Sequence, residues 1–184
     1  MRVSSSPLKE LLKKTLFCLL LIMTDNITAS EFARDRSNEF YKAILRKDEA
    51  FKSEAYQLQG ETEWTIGYGH YGADVKEGDT ITKKAAEDLL DQDVKERIVS
   101  VNKMIGDFDS FPEYLRGPLF SEHYRGSIAQ SPKTRKLINE GKFLEAAEEF
   151  LDNDQYRNAV EEGIPGIRPR MERLAEALRK HAKK

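Results

Sequence analysis

The sequence predicts an α+β chain: a small part containing a β-hairpin, one long helix, and a helical remainder. Three observations lead there. The stretch from Glu49 to His70, EAFKSEAYQLQGETEWTIGYGH, leaves a helical pattern for a strand-like one. Ala86, Leu90, Val94, Ile98 and Val101 then follow at spacings of four and three, a single apolar stripe on one helix. From Asp107 onward, short helical pieces are separated by Pro and Gly.

Taken in order, residues 1–30 differ from the rest. Arg2, Lys9, Lys13 and Lys14 precede an unbroken apolar run from Leu16 to Met23, and Thr28-Ala29-Ser30 offers a cleavage site. This is the pattern of a secretory leader; the competing reading is translation that begins at Met23. The apolar run falls well short of the ~20 residues that cross a bilayer as a helix, so no stable membrane span is expected. The one cysteine, Cys18, lies in this segment, so the body holds no disulfide or cysteine-based metal site. Localisation stays open between export and the cytoplasm or virion.

The first helix is expected from Glu31 to about Glu54, with Ser30 as its cap. Phe40–Ile44 and Tyr41–Leu45 are spaced four apart on one face. Tyr56 and Leu58 alternate with Gln57 and Gln59 as in a strand, Gly60-Glu61 makes a turn, and Trp64-Thr65-Ile66 returns as the second strand. Gly72, Gly78 and Asp79 break any longer period, and Thr82 caps the long helix, which Gly106 ends. Beyond it, Pro112, Gly117-Pro118, Gly126, Pro132 and Gly141 punctuate helices of about ten residues. The division is a leader (1–30) and one domain (31–184), the latter comprising an α+β lobe (31–81), a linking helix (82–106) and a helical lobe (107–184).

Charge narrows the partners. The chain has 30 basic and 32 acidic residues, and from Glu31 onward its formal charge is −4. A mildly acidic body gives no long-range pull toward nucleic acid. Seven cations crowd the last seventeen residues, a basic helix end that its own dipole favours. His70, His123 and His181 are too scattered for a metal-ligand motif, so no metal is expected.

Glu49, a Tyr seven residues later (Tyr56), and Thr65-Ile66-Gly67-Tyr68-Gly69-His70 resemble the phage-type lysozymes, endolysins that cut bacterial peptidoglycan. The similarity continues through Ile81–Glu87 and Leu89–Asp93, and more diffusely through Ser131–Phe150 and Gly166–Arg170. It implies a lysozyme-like fold with a cleft between two lobes, a monomer acting on peptidoglycan, and no cofactor. Glu49 would be the general acid and Thr65 a hydroxyl that holds water or a sugar oxygen. Tyr56 and either Arg170 or Arg168 would lie in the cleft, and His70 would pair with Asp93.

One departure stands out. The family places a second carboxylate nine positions after the acid and six before the Thr, where this chain has Leu58 and Gln59 and one extra hairpin residue. Two residues from Thr65, Glu63 would share its face of a strand. It ranks ahead of Gln59, which can orient water but cannot take a proton as an anion; Glu61 sits on the turn. The departure leaves three functions open: hydrolysis by a muramidase, lytic transglycosylation using Glu49 alone, and wall binding or a virion structural role without catalysis.

Overall fold

The computed structural model describes residues 31, 34–58, 60–159, 161, 164 and 166–184; the proposed leader, Cys18 and Gln59 lie outside them. The chain divides into two units, Met1–Glu39 and Phe40–Lys184. In the first, residues 31 and 34–39 are helical.

The second unit begins with helix α1 (40–48), whose Tyr41 and Leu45 are buried as their spacing requires. It stops earlier than the sequence predicts, and Glu54 belongs to a strand instead. The backbone reason lies at Ala50, whose φ of 37° is one no α-helix can contain. An antiparallel sheet follows in the order β1 (Lys52–Tyr56), β2 (Trp64–Gly67), β3 (His70–Gly72). Tyr56 stands opposite Thr65, and Thr65 opposite Tyr71. The outer side of β1 is partly covered, since Ala55 N–H donates to Asp79 O and Ile81 N–H to Ser53 O.

Helix α2 (Lys83–Met104) runs for 22 residues, and the Thr82 hydroxyl accepts from Ala85 N–H at 3.2 Å as the predicted cap. Its stripe holds: Ala86, Leu90, Val94 and Val101 are buried, with Ile98 partly so. After a 3-10 turn (Phe108–Ser110) come α3 (Glu113–Tyr124), α4 (Ser127–Gln130), α5 (Pro132–Asn139), α6 (Phe143–Leu151), α7 (Asp154–Asn158) and α8 (Ile167–Ala182). Gly117-Pro118 does not punctuate, as the sequence reading has it; α3 passes through both. Gly117 faces α1 closely, and a Cβ there would come within 2.8 Å of Ile44 Cδ1 and 3.3 Å of the Phe40 ring, so those side chains would have to shift.

Helix α8 packs chiefly on α6 and α3. Met171, Leu174, Ala175 and Leu178, spaced three, one and three apart, bury one face. Each Leu contributes about 1.5–3 kcal/mol by leaving water. That burial fixes the rotation of α8 and so the direction of Arg170, which precedes the stripe.

His123 is 1% exposed on α3, and neither ring nitrogen has a hydrogen-bond partner. Burial, aided by Arg97 and Arg135, lowers its pKa to about 4, so the ring is neutral and packs as an apolar plate.

Candidate active site

Where α1 gives way to the sheet, the chain delivers Glu49 to the floor of a cleft of about 500 Å³. Thr65, Tyr56 and Gly69 line it from the hairpin side, and Tyr124 and Arg97 from the helices. Glu49 N–H still donates to Leu45 O, so the acid is anchored on the last turn of α1. The backbone of Gly69 passes close beside it with φ of 85°; a Cβ here would lie 3.2 Å from Glu49 Oε2 and 3.3 Å from the Tyr124 ring. Only glycine meets both demands at low cost.

Arg170, expected in the cleft, is buried behind Glu49 and is not among the residues on the cleft walls. Its Nη1 lies 2.7 Å from Glu49 Oε1, a close ion pair in which no N–H is aimed well enough for a hydrogen bond. The guanidinium is held from behind: Nε donates to Ser121 Oγ at 2.9 Å and Nη2 to Ser121 O at 2.5 Å. Ser121 in turn donates to Asp48 Oδ2 at 2.6 Å, and Arg173 Nη2 reaches both Asp48 oxygens at 2.6 Å. Glu122, fully buried, is held by Arg125 and Ser127. Three carboxylates and three arginines thus interlock, as buried charges must. Arg168 points elsewhere, over the Tyr156 ring at 4.8 Å. Pro169, between the arginines, occupies the first turn of α8, where a missing N–H costs nothing.

The pairing of hairpin with long helix is present. His70 Nδ1 lies 2.8 Å from Asp93 Oδ1, and Nε2 lies 3.1 Å from Asp74 Oδ2. The Tyr124 hydroxyl sits between two acceptors, Tyr68 O at 3.0 Å and Asp93 Oδ2 at 3.1 Å, and burial together with Asp93 keeps it protonated. The hydrogen bond to Asp93 is the main influence that raises His70 to about 9, against the opposing effect of burial. Such a group stabilises the fold fully below its unfolded value of about 6.5 and ceases to as pH rises through about 9. The Asp93→Asn variant is therefore expected to lose up to about 3 kcal/mol at pH 5–6 and little near pH 10. NMR titration should show His70 in that variant falling toward 6.5; an unmoved titration would contradict the assignment.

Glu63 immediately precedes β2 and does not line the cleft; period-two alternation applies only within a strand. Its N–H donates to the Tyr71 hydroxyl at 3.3 Å, and its carbonyl accepts from Gln57 at 3.4 Å. Leu58 lines the cleft mouth and is 58% exposed. The sequence reading overlooked Tyr124, Arg97, Ser121 and the Asp48–Arg173 pair. Arg97 was within reach of it, since Arg97 follows Asp93 by four residues and so shares its helix face. Among the described residues no cluster of side chains could hold a metal ion, and no helix is long and apolar enough to cross a membrane.

Comparison with known proteins agrees with this geometry. The Phage lysozyme family profile matches residues 46–174. The chain is 30% identical over 122 residues to an endolysin of Bacillus phage B103, covering 66% of this chain and 46% of that protein. It is 30% identical over 132 residues to an endolysin of Bacillus phage PZA, covering 71% and 51%. A SAR-endolysin of Enterobacteria phage PA-2 is 35% identical over 90 residues, covering 47% and 53%. The chain thus spans about half the length of the relatives it matches. In structure it shares its fold with the muramidase domain of SpmX from Asticaccaulis excentricus, at a TM-score of 0.53 and 21% identity, covering 74% of this chain and 92% of that one. With more than half its length matched, from the end of α1 to the middle of α8, the chain belongs to the phage lysozyme family.

Proposed function

We propose that the protein degrades bacterial peptidoglycan as a lysozyme, hydrolysing the glycosidic bond between N-acetylmuramic acid and N-acetylglucosamine. The observation that carries this reading is Glu49, a carboxylate on the cleft floor whose inner oxygen is gripped by Arg170. With Oε1 buried, Oε2 beside Gly69 is the oxygen available to a bound chain. Glu49 acts as general acid and delivers a proton to the bridging oxygen as the sugar takes on positive charge. Thr65, 6% exposed and lining the cleft, offers a hydroxyl to water or a sugar oxygen. Tyr56 supplies a phenol on the same wall, and Arg170 keeps the acid in place.

The test uses purified peptidoglycan and the whole chain. Turbidity should fall, and mass analysis of the fragments should find reducing ends. Anhydro ends would instead mean transglycosylation, in which the sugar's own hydroxyl attacks. Walls bound without fragment release would mean a binding or structural role.

A further inference from the structure

The family's second carboxylate is missing from its expected position, yet the cleft has a second carboxylate. Among the described residues on its walls, Glu49 and Glu61 are the acids. The others nearby are committed elsewhere. Asp48 is 5% exposed and bound by Arg173 and Ser121; Asp93 is held by His70 and Tyr124. Glu61 N–H donates to Leu58 O at 3.1 Å, which closes a tight turn, and Leu58 N–H donates to Glu61 Oε2 at 3.1 Å. One oxygen is thereby fixed by the backbone, and Oε1 has no protein partner among the described residues.

Tyr56 lines the same cleft as both carboxylates. Burial raises the Tyr56 phenol above its ordinary range, and Glu49 and then Glu61 add to the shift. Both carboxylates therefore act on one hydroxyl inside the cleft.

We infer that Glu61 is the residue that activates water opposite Glu49, in the role that Leu58 and Gln59 cannot fill. This rests on the hydrolase reading above. Glu49 passes its proton to the bridging oxygen while the bond from that oxygen to the anomeric carbon breaks. The water oxygen bonds to that carbon and gives a proton to Glu61, which returns it to Glu49 through solvent. One water is added across one bond, with nothing oxidised or reduced.

Two variants test this. Glu61→Gln keeps an oxygen to accept from Leu58 N–H, so the turn survives, but it cannot take a proton. Its kcat should fall about 10²–10⁴-fold with KM within a few-fold, since such a group acts on the transition state. Glu61→Ala leaves space that azide can enter; added azide should restore fragment release and give glycosyl azides, with azide bonded where water would be. Glu61→Gln within threefold of the parent, a loss confined to KM, or no azide rescue of Glu61→Ala would each overturn the assignment. A parent that releases no reducing ends would overturn both readings, whereas an active parent beside an active Glu61→Gln overturns this one alone.

Discussion

Replacing Glu49 by Gln is expected to abolish wall cleavage and leave the fold standing. The exchange removes the proton and almost no volume, and general acids of this kind contribute about 10²–10⁴-fold. The surrounding network tolerates the change because Arg170 is anchored independently by both oxygens of Ser121. Circular dichroism should match the parent while reducing-end release falls to background. If Glu49→Gln digests walls within a few-fold of the parent, the acid lies elsewhere and the proposed function loses its foundation.

The second large effect belongs to Arg170, and it concerns stability first. The side chain is nearly buried at 8% exposure, with Glu49 at 2.7 Å, Glu122 at 3.8 Å and Asp48 at 3.9 Å. Arg170→Met fills similar space but leaves these carboxylates without a shared cation and removes the donor to Ser121 Oγ and O. Breaking one member out of a buried charge network costs about 3–5 kcal/mol. The urea midpoint should drop accordingly. Arg170→Lys should recover only part of the loss, because an ammonium cannot span Ser121 and Glu49 as a planar fork does. A midpoint for Arg170→Met within about 1 kcal/mol of the parent would mean that Arg125 and Arg173 suffice.

The parts of the fold legible in the sequence are those set by local pattern. The Thr82 cap, the stripe of α2 and the amphipathic face of α8 each follow from residues within a few turns of one another. The His70–Asp93 contact was legible through resemblance rather than periodicity, since 23 positions separate the two. Strand β3 was not legible: a Tyr between His and Gly carries no strand signal, and the three residues are held by pairing with β2. The end of α1 escaped because Ala50 is a good helix former whose positive φ comes from tertiary context. Glu61 was passed over for sitting on the turn, for a related reason. Alternation ranks residues within strands, whereas its carboxylate is aimed by a turn in which side chain and backbone bond to each other.

The Asp48–Arg173 contact joins residues 125 positions apart. The sheet and its turns are local, and such pairings form quickly, whereas closing so long a loop is slow because chain entropy must be surrendered first. The hairpin that presents Thr65 and Glu61 can thus exist before α8 has docked and Glu49 has met its arginine. Until α8 docks, Glu49 lacks the arginine that stands 2.7 Å from it.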